Sequence, residues 1–148
     1  MKKTPRHARL FAVLTAAPLA LVLSGCSVVD EFAHKMRSAS FDTAAELTTE
    51  WEGDAAWLPD DATDIEIRES TINKTAVVLA SSGDKLDPAL CSLVPRQSAP
   101  AYELEGSPSV YDVDEVFACG DWAVMASESG WFGWNPSHPD EARQSPTP

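Results

Sequence analysis

The chain reads as an α+β protein, with an N-terminal helix or two short helices followed by a small antiparallel sheet of about five strands. Three observations predict this. Capping-box signatures accompany helix-spaced apolar residues before position 51, period-two alternation sets in at Asp64, and short apolar runs then recur between Gly, Asn, Asp and Ser turns as far as Trp134.

The first element is a leader. Lys2, Lys3, Arg6 and Arg9 stand with no acid among them, and an apolar stretch from Leu10 to Leu23 follows, interrupted only by Thr15 and Pro18. That order is the cationic and apolar part of a secretory signal, and the stretch is shorter than the roughly 20 apolar residues a bilayer-spanning helix needs. It ends in Leu23-Ser24-Gly25-Cys26, which resembles the lipobox of bacterial lipoproteins. The resemblance implies a signal peptide over residues 1–25, cleavage before Cys26, and fatty-acyl chains such as palmitate on the Cys26 thiol. The expected location is the cell membrane, lipid-anchored and facing the extracytoplasmic side. Each buried methylene would contribute about 0.8 kcal/mol to such an anchor.

Removing 25 of 148 residues leaves 123, enough for one small domain. Four of the 11 basic residues fall in the leader, so the remainder sets 7 against 23 acids, a formal charge of −16. Such a surface repels phosphate backbones and excludes nucleic acid as an expected partner. With Cys26 acylated, Cys91 and Cys119 remain as a pair, 28 positions apart, for one disulfide in a compartment where such bonds persist. Loop-closure entropy makes that bond worth about 3.5 kcal/mol. The pair lacks C-x-x-C spacing and neighbouring histidines, which weighs against a redox or metal role.

Residues 26–50 read as a helical tether. Val28, Val29, Phe32, Ala33 and Met36 fall at helix spacing after Ser27 and Asp30, Ser38-Ala39-Ser40 interrupts them, and Thr43 with Glu46 opens a second helical turn before Leu47. Residues 51–135 read as the small disulfide-bonded domain. Its first strand is Asp64–Glu69, with Ile65 and Ile67 inward, and its second is Thr75–Ala80, joined across Ile72-Asn73-Lys74. Residues 81–109, rich in Ser, Gly, Asp and Pro, form a long irregular connection pinned by Cys91. A third strand is expected from Val110 to Cys119, burying the face of Tyr111, Val113, Glu115, Phe117 and Cys119. Gly120-Asp121 turns into a fourth, Trp122–Ala126, and Glu128-Ser129-Gly130 into a fifth, Trp131–Trp134. Pro136, Pro139, Pro146 and Pro148 mark residues 136–148 as a disordered tail. The run Trp57–Ile65, the hairpin after it and a late cysteine before a Trp-rich end also resemble small exported lipoproteins of actinobacteria over residues 51–135. That resemblance implies an envelope location and one disulfide, and no activity.

Chemistry-bearing patterns are few. A nucleophile elbow of the form G-x-S-x-G does not occur, and His7, His34 and His138 all fall outside the 51–135 domain, which removes the commonest general base and metal ligand from it. Asp60, Asp61 and Asp64 cluster, as do Asp112, Asp114 and Glu115, but neither set has the spacing of an EF-hand loop, so no metal or other cofactor is expected. In the fifth strand, alternation separates Trp131 from Phe132 and Trp134, leaving an aromatic face to stack on a glycan or grip an envelope protein. Trp131 and Trp134 are therefore the candidate binding residues; the competing reading makes tryptophan core filling in a domain with few Leu and Ile. The functional expectation is a non-catalytic binding or interaction module held to the membrane through Cys26, with an envelope protein or glycan as partner. The alternatives are an envelope enzyme working through carboxylates and a structural surface component without a discrete ligand.

Overall fold

The computed structural model describes residues 35–146. The leader, Cys26 and the first part of the expected tether lie outside the described residues. In chain order the elements are β1 (Met36–Thr43), α1 (Ala44–Glu50), β2 (Thr63–Ser70), β3 (Ala76–Ser81), β4 (Ser92–Pro95), a 3₁₀ turn (Val110–Asp112), β5 (Glu115–Cys119), β6 (Trp122–Ala126), β7 (Gly130–Asn135) and α2 (Pro139–Ala142). The seven strands make one antiparallel sheet in the order β1-β2-β3-β7-β6-β5-β4. It consists of two meanders, β1-β2-β3 and β4-β5-β6-β7, joined by a β3–β7 seam in which Ala76 pairs with Asn135 and Ser81 with Gly130.

Both faces of the sheet are covered, and alternation along each strand divides the apolar side chains between two cores. Ile65, Ile67, Val78, Val124 and Trp122 join Phe41, Leu47, Trp51 and Trp57 on the first face. Val77, Val116, Ala118, Ala123, Phe132 and Trp134 join Val94 and Val110 on the second. Ile65 and Ile67 are buried as their alternation predicts, each contributing about 1.5–3 kcal/mol by leaving water. At the start of β2 the ladder slips between Thr63 and Glu66, and Asp64 takes a φ of 49° there; an aspartate tolerates the left-handed region at such a bulge. The β2–β3 turn is closed by side chains, with Ser70 Oγ accepting from the backbone N–H groups of Ile72 and Asn73, and Asn73 Oδ1 from that of Thr75.

Four sequence expectations need correction. First, residues 36–43 of the expected helical tether are β1, paired with β2 from Met36↔Ser70 to Thr43↔Thr63. Ala39 and Phe41 face the core at period two, and pairing with an amphipathic β2 outweighs the short helix-spaced run that ends at Met36. The helical part that survives is α1, where Thr43 Oγ1 accepts from the Glu46 N–H and Glu46 Oε2 from that of Asp42. Second, the sheet has seven strands rather than five, because β4 also forms inside the expected irregular connection. Only four residues long and ending in Pro95, β4 sits at the sheet edge, where a missing N–H is tolerated.

Third, the expected strand from Val110 begins only at Glu115, after the 3₁₀ turn. Val116 and Ala118 are buried in the second core, while Tyr111, on the face expected inward, is 76% exposed and Phe117 half-buried. Fourth, residues 136–146 pack on the sheet. His138 Nδ1 accepts from the Asp140 N–H to cap α2, Ser92 Oγ donates to the Gln144 carbonyl, and Gly120 N–H donates to Ser145 Oγ. The side chain that commits this segment is Glu141, which is fully buried. Its Oε1 accepts from the backbone N–H groups of Gln97 and Ser98, and its Oε2 from Ser98 Oγ and the His138 N–H. Burial acts to raise its pKa, but the Ser98 hydroxyl and the three backbone donors together outweigh burial and hold the carboxyl below its ordinary value. Proline content masked a segment that docks through one charged residue.

A tryptophan-walled candidate cleft

Beyond α1 the chain leaves the helix at Trp51, whose N–H still donates to the Leu47 carbonyl, and crosses the first face of the sheet to Trp57. This crossing places three indoles together. The Trp51 and Trp122 ring centroids are 6.4 Å apart at 67°, and those of Trp57 and Trp122 are 5.8 Å apart at 55°. Edge-to-face and tilted pairs of this kind suit the aromatic quadrupole and fix each ring against the next. Two glycines make room for them: a Cβ at Gly53 would stand 2.2 Å from the Trp51 ring, and one at Gly133 would stand 2.5 Å from the Trp57 ring.

Polar contacts lock the cluster further. Trp51 Nε1 donates to Glu69 Oε2 at 3.0 Å, while Arg37 donates from Nε and Nη2 to Glu69 Oε1, so one carboxylate ties β1, β2 and the 51–57 crossing together. Trp122 Nε1 donates to the Asp54 carbonyl at 2.8 Å, which fixes the crossing to β6. The indole N–H of Trp57 is buried and meets no acceptor among the described residues.

Against this cluster lies a cleft of about 800 Å³. Trp51, Trp57 and Trp122 form one wall, the β2–β3 turn with Lys74 another, and the β5–β6 turn with Gly120 and Asp121 a third, beside Cys119 and Asn135. Gly120, at φ 61°, makes the tight β5–β6 turn. The cleft straddles the seam, since Ala76 and its partner Asn135 both line it. Its charged side chains are Glu52, Asp54, Glu69 and Asp121 against Arg37 and Lys74, so its field is mildly negative.

The tryptophans singled out from the sequence lie elsewhere. Trp134 is 1% exposed in the second core, where its Nε1 donates to Ser98 Oγ at 2.8 Å, so it cannot present a binding face. Trp131 is half-buried on the opposite face, edge-on to Phe117 at 5.8 Å, and its Nε1 donates to the Asp84 carbonyl. The reading that tryptophan serves as core filling therefore holds for Trp134. Trp51, Trp57 and Trp122, which sequence reasoning passed over, are the indoles that converge. Their signal was the pair Trp51 and Trp57 bracketing Gly53 and Asp54 in a segment without helix or strand period.

Cys91 and Cys119 are bonded, with Cα atoms 4.3 Å apart, joining the segment before β4 to the end of β5 next to the cleft. Cys26 lies outside the described residues. Asp61 accepts from Ser82 Oγ and the Gly83 N–H; the Ser82 hydroxyl, ahead of the backbone donors, holds its pKa below the usual value. Among the described residues no three His, Cys, Asp or Glu side chains converge as metal ligands would, and no helix is long and apolar enough to cross a membrane. Comparison of the chain with protein-family models, with curated proteins and with solved structures finds no significant match.

Proposed function

We propose that this protein is a lipid-anchored binding module of the cell envelope, non-catalytic and facing the extracytoplasmic side, whose ligand enters the tryptophan-walled cleft. The observation that carries the reading is the cleft itself. Its volume falls within the range of small-ligand sites, and its walls are held before any ligand arrives, by the Glu69 contacts to Trp51 and Arg37 and by the Trp122–Asp54 bond. Preorganised walls reduce the ordering entropy that binding costs. The envelope location is supported by the cationic and apolar leader and by the lipobox resemblance at Cys26. The disulfide is compatible with an oxidising compartment.

Two measurements test the two halves of the proposal. Metabolic labelling with a fatty acid should mark the native chain and not a Cys26→Ala variant, and the variant should leave the membrane fraction; label retained without Cys26 overturns the anchor. In-cell crosslinking should recover an envelope component with the native protein that is lost when Ala56→Trp fills the cleft from its exposed rim. Equal recovery by both proteins overturns the cleft as the binding site.

A further inference from the structure

Resting on the membrane anchor proposed above, we infer that one end of the sheet docks on the anionic lipid surface of the bilayer that holds the anchor, through Ile72, Lys35 and Lys74. Antiparallel pairing sets the start of β1 beside the β2–β3 turn: Met36 pairs with Ser70, and the Lys35 carbonyl accepts from the Thr71 N–H at 2.9 Å. Nine positions separate Lys35 from Cys26, a reach of at most about 32 Å when fully extended. An acylated Cys26 therefore leads into the domain at this end, and β1 carries the opposite end about 26 Å further along the strands.

The turn at the tether end is suited to a lipid surface. Ile72 is 67% exposed, and the turn beneath it is closed by its own side chains, with Ser70 Oγ accepting from the Ile72 and Asn73 N–H groups and Asn73 Oδ1 from that of Thr75. Backbone donors met in this way can approach the headgroups without being stranded. Lys35, beside Thr71, and Lys74, two positions after Ile72, are both exposed. A lone exposed isoleucine is ordinary on a protein surface; between two lysines at the tether end, it can rest under the headgroups while the ammonium groups meet the phosphates.

Charge distinguishes the two ends. Lys35, Arg37 and Lys74 are three of the seven basic residues after Cys26. The Glu69 carboxylate at this end is held by Arg37 and Trp51, while Glu52, Asp54 and Asp121 belong to the other two walls of the cleft. Around the opposite ends of β1, β2 and β3 stand Asp42, Asp61, Asp64, Asp84 and Glu128 against Lys85. A negative surface, felt within a Debye length of about 8 Å, draws the first end and repels the second. Docking in this pose sets the cleft beside the lipid, because the β5–β6 turn lies at the same end as the β2–β3 turn.

The test is amine footprinting of the native full-length protein, first in neutral detergent and then in vesicles of phosphatidylcholine with phosphatidylglycerol. A water-soluble acylating reagent should modify Lys35 and Lys74 about fivefold more slowly in the vesicles, with the exposed Lys85 unchanged. A nitroxide on Ile72→Cys should there be open to oxygen and closed to a water-soluble nickel complex, whereas one on Glu128→Cys should behave as in water. Lys35→Glu combined with Lys74→Glu should return the label at position 72 to water. Unchanged lysine reactivity in protein that sediments with the vesicles overturns the docking and leaves the anchor standing. Protein that stays out of the vesicle pellet overturns the anchor and the docking together, and a label at position 72 that remains shielded after the double charge reversal overturns the anionic surface as partner.

Discussion

Trp57 occupies the space that any side chain at position 133 would need: a Cβ on Gly133 would come 2.5 Å from its Cζ2 and 3.2 Å from its Cε2. The contact joins the crossing segment to the middle of β7, in register with Val78 and Val124 on either side. Gly133→Ala must displace the indole or the strand and is expected to cost about 1–3 kcal/mol, with a changed near-ultraviolet dichroism from the tryptophan cluster. Gly83→Ala is the control. Its Cβ would meet nothing closer than Asp61 Oδ2 at 3.6 Å, and urea unfolding should place it within ~0.5 kcal/mol of the native protein.

Glu141 predicts a pH dependence. Its carboxyl is held below its ordinary value, so its contribution to stability is complete above the unfolded-state pKa and is lost as pH falls through the lower, folded-state one. Urea midpoints should therefore drop on acidification below about pH 4.5, and Glu141→Gln should both lower the midpoint at pH 7 and flatten that drop. The amide leaves at least one of four donors unmet, a loss of about 1–3 kcal/mol. A variant with native stability at pH 7 would show that the anchoring role of this side chain is wrong.

Ser98 ties that carboxylate to the second core, donating its hydroxyl to Glu141 Oε2 and accepting from Trp134 Nε1. Ser98→Ala should strand the Trp134 donor in the core at a cost of about 1–3 kcal/mol, read as a lower thermal midpoint. The Trp134 emission should shift with it.

On the other face, Glu69 is expected to matter more than its ion-pair partner. The Arg37 side chain is 45% exposed, and ion pairs open to solvent in this way are worth about 1 kcal/mol or less. Replacing Glu69 by Ala also deprives the Trp51 N–H of its acceptor, so Glu69→Ala should destabilise more than Arg37→Ala, and a double-mutant cycle should show the two effects to be coupled. Additive effects would separate the indole contact from the ion pair.

Breaking Cys91–Cys119 by paired replacement with Ser should lower stability by about 3.5 kcal/mol, the loop-entropy value for a separation of 28. Denaturant unfolding of the two forms measures this directly.

Where strands carry a clear period and tight turns, the sequence was legible: Ile65 and Ile67 declare β2, and Gly120-Asp121 declares the β5–β6 turn. Where tertiary pairing decides, it was not. Met36–Thr43 becomes a strand because β2 offers it an edge, Ser92–Pro95 is too short to announce itself, and the α2 segment looks disordered until the donors of Gln97 and Ser98 are known. The cleft was the least legible part, since Trp51, Trp57 and Trp122 meet only after the two meanders join. Period alone could not say that Trp134 points into a second core, because both faces of β7 are covered.

The order of the strands carries a kinetic consequence. Each meander is built from neighbours in sequence, so its contacts are comparatively local, whereas the β3–β7 seam closes a long loop and carries a larger closure entropy. The Cys91–Cys119 bond lies inside the loop that the seam closes, so it shortens that loop but does not itself join β3 to β7. The cleft is lined from both halves, from the β2–β3 turn to Asp121, so a molecule seated there would touch both at once and would bind only the joined chain. Occupancy would thus act as a clasp across the seam, raising the free energy of unfolding in proportion to the logarithm of ligand concentration and slowing the separation of the meanders.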